Sequence, residues 1–139
     1  MRTAVVAALL LIVPGIAFSL SASQNKDAAR GAGVSPFACN GSALTPEERT
    51  KHFDQMGPKL ISLRKGVREL ADGYEFEFPS DPATYRTLVN WVADERLCCP
   101  FFDLDVRAER EGGPLTLRVT GREGVKAFIQ VDGADWLKK

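Results

Sequence analysis

Tyr74, Phe76 and Phe78 alternate with Glu75 and Glu77, and Leu115, Leu117 and Val119 alternate with Thr116 and Arg118. A period of two puts the apolar members on one face of a strand and the polar members on the other. A slip of one residue would bury the glutamates, so the pattern also fixes which face packs. Strands of this kind need a sheet with one packed and one wet face, and antiparallel sheets supply it. Helices must then cover the packed face.

The rest of the chain reads around those strands. Thr45-Pro46-Glu47-Glu48 is a helix start, with Thr45 as cap, Pro46 in the first turn and Glu48 completing a capping box. Phe53, Met56 and Leu60 follow at helical spacing, and Gly57-Pro58 is expected to end or kink this helix near Met56. From Leu60 to Pro79 the period becomes two, with Ile61, Leu63 and Val67 alternating, and Asp72-Gly73 signals a hairpin. Asp81-Pro82 opens a second helix whose apolar stripe is Tyr85, Leu88, Val89 and Val92. Residue 99 precedes Pro100 and is pushed out of the helical region, so this helix should stop at about Cys98. Phe102, Leu104 and Val106 alternate again, and Gly112-Gly113-Pro114 turns the chain. Thr120 to Glu123 has the form of a capping box ahead of a short helix carrying Val125, Phe128 and Ile129. The expectation is an α+β domain in two layers, a four-stranded antiparallel sheet with helices, in the order α-β-β-α-β-β-α.

The N-terminus has a different character. Arg2 precedes an apolar run from Ala4 to Phe18, and the small residues Ser21-Ala22-Ser23 follow. That is the layout of a secretory signal over residues 1–23. The run is short for a spanning helix and is broken by Pro14-Gly15, although an uncleaved membrane anchor is the alternative. Residues 24–38 read as a flexible linker and 39–139 as one domain. The expected location is therefore periplasmic or secreted, with no membrane contact once the signal is cleaved. The 139-residue chain carries 18 basic and 18 acidic side chains. Its densest basic patch, Arg64-Lys65-Gly66-Val67-Arg68, reads as a solvated strand edge, so nucleic acid is not an expected partner.

Only three cysteines occur: Cys39, Cys98 and Cys99. Export would put them in an oxidising compartment, where an odd count allows at most one internal bridge. Glu95 lies three and four residues before the pair, on the same side of the helix. Trp91 covers the adjacent face, and Arg96, Phe101 and Phe102 flank the site. A helix C-terminus opposes a thiolate, and so does Glu95, which weakens a thiol oxidoreductase reading. No catalytic residue is assigned on this reading. Thiolates select soft ions, so Cys39, Cys98 and Cys99 are candidate ligands for a thiophilic metal or metalloid. The competing reading is a non-catalytic structural or interaction domain, with Cys39 bridged to Cys98 or Cys99. His52 reads as a surface or boundary residue.

The stretch Glu95-Arg96-Leu97-Cys98-Cys99-Pro100-Phe101-Phe102 resembles the E-R-x-C-C-P-F signature of small, largely uncharacterised bacterial proteins. Ala38-Cys39, Leu44-Thr45-Pro46-Glu47-Glu48 and Leu117 to Gly124 are similar to their other segments, so the likeness covers about 38 to 130. The resemblance implies a bacterial origin, a small α+β fold and three cysteines that belong to one pattern. It brings no activity with it. The signal-like N-terminus departs from that pattern.

Overall fold

The computed structural model describes residues 35–138, and the expected signal segment and the start of the linker lie outside the described residues. Helix α1 (Pro46–Arg49) runs into a π-helical stretch (Thr50–Met56) and then α2 (Gly57–Leu63). Strands β1 (Gly66–Glu69) and β2 (Tyr74–Phe78), helix α3 (Pro82–Cys98), strands β3 (Phe102–Ala108) and β4 (Leu115–Gly121), and helix α4 (Val125–Val131) follow. The four strands form one antiparallel sheet in the order β1-β2-β4-β3. The α+β class and the antiparallel sheet agree with expectation.

The two alternating strands are neighbours at the centre of the sheet, with Phe76 opposite Leu117 and Tyr74 opposite Val119. Tyr74, Phe76, Phe78, Leu115, Leu117 and Val119 are all buried and share one core with Leu60, Leu88, Trp91, Val125 and Ile129 of the helices. Burying a side chain of this size contributes about 1.5–3 kcal/mol. The opposite face is wet and charged: Glu75 accepts from Arg118 Nε at 2.6 Å and from Arg68 Nη2 at 2.7 Å. Gly73 closes the β1–β2 hairpin against β4, and a Cβ there would lie 2.0 Å from the Val119 carbonyl oxygen.

Four local expectations are corrected. Gly57-Pro58 does not end the first helix. The π stretch closes with the Gly57 N–H donating to the His52 carbonyl, and α2 restarts with Pro58 in its first turn, where a missing N–H costs nothing. Ile61 and Leu63 consequently lie in α2 rather than on a strand, and β1 begins only at Gly66. On α3 the buried face is Thr84, Leu88, Trp91, Glu95 and Cys98, while Tyr85 and Val89 are exposed. Finally, Thr120 does not cap a helix. It pairs with Asp103 in the β3–β4 ladder, and α4 starts after Gly124, whose φ of 97° favours glycine.

Candidate functional site

Helix α3 positions most of the site. Asp81 caps it, its carboxylate accepting from the Ala83 and Thr84 N–H groups at 3.0 Å. Pro100 holds Cys99 out of the helical region, at φ −124° and ψ 68°, while the Cys99 N–H still closes the last turn on the Glu95 carbonyl at 2.7 Å. Both neighbouring cysteine side chains are fully buried. Their sulfurs lie 3.7 Å apart.

Cys39 reaches them from the N-terminal segment. The Asn40 N–H donates to the Cys98 carbonyl at 2.7 Å, which lays this segment along the end of α3. Phe37, in the stretch expected as linker, packs edge-on against Phe101 at 5.4 Å, and the Arg122 guanidinium covers its ring at 4.2 Å. The sulfurs of Cys39 and Cys99 stand at disulfide distance, with Cα atoms 4.8 Å apart. Cys98 is the free thiol. All three sulfurs lie within 4.8 Å of one another, with Cys39 the exposed member.

Electrostatics separates the candidate chemistries. Burial pushes the Cys98 thiol up to about 11, and the Glu95 carboxylate adds to the shift. At neutral pH this thiol is protonated and a poor nucleophile. Arg96 does not offset it, being exposed on the far side of the helix.

Glu95 has a partner that the spacing did not reveal. His52 is 1% exposed, not a surface or boundary residue, and its Nε2 lies 2.8 Å from Glu95 Oε2. Trp91 stacks on the imidazole at 5.3 Å with planes 12° apart, and Nδ1 has no hydrogen-bond partner among the described residues. His52 is the chain's single histidine. Two signals could have found it: a carboxylate on the buried face of α3 needs a donor, and Gly57-Pro58 within a helix calls for wide turns.

His52, Glu95 and Trp91 form part of the wall of a cavity of about 280 Å³, which also reaches Cys39. Trp136 closes another side, 4.9 Å from Trp91 and 5.5 Å from Phe76. Of the residues singled out by sequence, Cys39, Cys98, Cys99 and Glu95 converge, Trp91 and Phe101 are buried around them, and Arg96 stands apart. Among the described residues no helix is long and apolar enough to cross a membrane. Comparison with known protein families, curated proteins and solved structures finds no match to this chain.

Proposed function

We propose that the chain is an exported small domain whose reduced cysteines bind one soft metal or metalloid ion. The observation that carries this reading is the convergence of three sulfurs, from two segments 60 residues apart, within 4.8 Å. Thiolates favour soft cations, and a bound cation displaces the thiol protons itself, so Cys98 need not be activated beforehand. Three sulfurs suit a three-coordinate ion such as As(III) or Hg(II) better than a four-ligand zinc centre. The nearby Glu95 carboxylate adds attraction for a cation. Two of the donors are held in the Cys39–Cys99 bond, so binding requires its reduction, with two electrons and two protons supplied by an external dithiol. The N-terminal charge and hydropathy order supports export.

The second reading is a structural or interaction domain in which the bridge only pins the N-terminal segment. It draws support from the Phe37 and Asn40 contacts, which hold that segment in place. Native mass spectrometry of the chain from residue 24, before and after reduction, separates the two. With Cu(I), Zn(II), Hg(II) or As(III), the reduced protein should gain one ion per chain, and Cys39→Ser or Cys98→Ser should abolish the adduct. No cysteine-dependent adduct with any of the four ions would sink the ion reading. A thiol oxidoreductase role would instead require reduction or isomerisation of a model disulfide above a Cys98→Ala/Cys99→Ala control.

A further inference from the structure

We infer that the cavity between α3, the π-helical stretch and the C-terminal turn is a binding site for a small organic ammonium with a ring-sized apolar body. Three observations converge on that class. The first is shape and surface. A volume of about 280 Å³ lies at the lower end of small-molecule sites, and the walls are largely aromatic: Trp91, Trp136, Phe76, Phe102 and Phe128. Tryptophan faces attract cations as well as apolar groups.

The second is charge. Glu95 lines the interior, and the exposed Asp132 and Asp135 mark the open rim. Asp135 is shared with Lys138 at 2.5 Å, but neither Lys nor Arg is among the described residues that line the cavity. An anion would meet the Glu95 and Asp132 carboxylates, whereas a cation meets both these carboxylates and the aromatic faces.

The third is the orphan nitrogen. His52 meets Glu95 through Nε2 at 2.8 Å, and its Nδ1 is buried with no hydrogen-bond partner among the described residues. A buried unpaired polar atom is costly, and a ligand N–H would relieve it. An ammonium brings the positive charge and hydrogen-bonding N–H groups together in one group.

The chain's two tryptophans both line this cavity, so intrinsic fluorescence reports on it directly. The probes are 2-phenylethylamine, 2-phenylethanol and 3-phenylpropionate, titrated into oxidised protein, in which the cysteine ion site is closed. The amine should give a saturable change and bind at least about tenfold tighter than the alcohol, as expected for one charge-assisted hydrogen bond. The propionate should bind more weakly than either. His52→Gln keeps a donor toward Glu95 but removes Nδ1, and the folded variant should bind the amine about tenfold more weakly. If His52→Gln does not fold, Asp132→Asn on the exposed rim tests the charge instead, with a few-fold loss for the amine and none for the alcohol. Equal or tighter binding of the alcohol overturns the inference. So does the lack of a saturable response to amine up to about 10 mM, a level at which binding is worth under ~3 kcal/mol. Unchanged amine affinity in the folded variants overturns it as well.

Discussion

Breaking the Cys39–Cys99 bond should cost this domain much of its stability while leaving the native fold in place. The bond closes a ring over a sequence separation of 60 residues. On the chain-entropy estimate, a ring of that length stabilises by about 4 kcal/mol, because the unfolded chain loses freedom. The native side changes little. The Asn40 N–H bond to the Cys98 carbonyl and the Phe37–Phe101 packing do not run through the disulfide and should persist. With a urea m-value of about 1.5 kcal/mol/M, the midpoint should fall by roughly 2–3 M on reduction. The m-value should rise, since the open unfolded chain exposes more surface. The assay is urea unfolding followed by tryptophan fluorescence, with and without a phosphine reductant, on wild type and Cys39→Ser. Reduced wild type and the variant should agree, while Cys98→Ala without reductant, which keeps the bridge, should lower the midpoint by no more than about 1 M. A shift on reduction below roughly 0.5 M would refute the reasoning, because the ring would then not be constraining the unfolded chain.

Two further perturbations test the sheet. Hydrogen bonds from Arg118 and Arg68 hold the Glu75 carboxyl below its usual 4.5, so its contribution is present above that pH and is lost as pH falls through the lowered value. Glu75→Gln should therefore cost roughly 1 kcal/mol at pH 7 and nothing at the acid end, read from thermal melts across pH; a cost that persists in acid would show that charge is not its source. Gly73→Ala forces a Cβ against the backbone of Val119 and Thr120 and should cost about 2–3 kcal/mol, lowering the melting midpoint by 10 °C or so. Gly66→Ala, where a Cβ meets nothing within 4 Å among the described residues, is the matched control and should stay within about 0.5 kcal/mol.

The sheet was legible in the sequence because β2 and β4 each have one buried and one solvated face, which is the condition that makes alternation visible. The end of α3 was legible because Pro100 acts through local sterics that no tertiary contact overrides. The first helix was not. Its inward residues are His52, Gly57 and Leu60, so the first step is the five-residue spacing of a π turn, whereas Phe53, Met56 and Leu60 fit an α period and Phe53 is 44% exposed. The inner face of α3 was shifted for a related reason. Two of its buried positions are Thr84 and Glu95, which read as polar by type, and each is satisfied by a partner: Asp81 at 2.6 Å and His52 at 2.8 Å. The cysteine cluster was half legible. Adjacency and the odd count narrowed the choices, but the selection of Cys99 over Cys98 as the bridged sulfur depends on the direction the backbone takes after the helix ends.

The strand order β1-β2-β4-β3 sets a constraint on how the molecule can be made. The strand that joins β2 to β3 is the last in the chain. While a ribosome is still adding residues, the apolar faces of Tyr74, Phe76 and Phe78 have no inner neighbour, and β3 has no ladder partner at all until Leu115 to Gly121 has emerged. An open edge of this kind invites pairing with other chains. Premature termination before residue 115 removes the middle of the sheet rather than its margin, so no N-terminal fragment of this domain can complete a smaller version of the same fold.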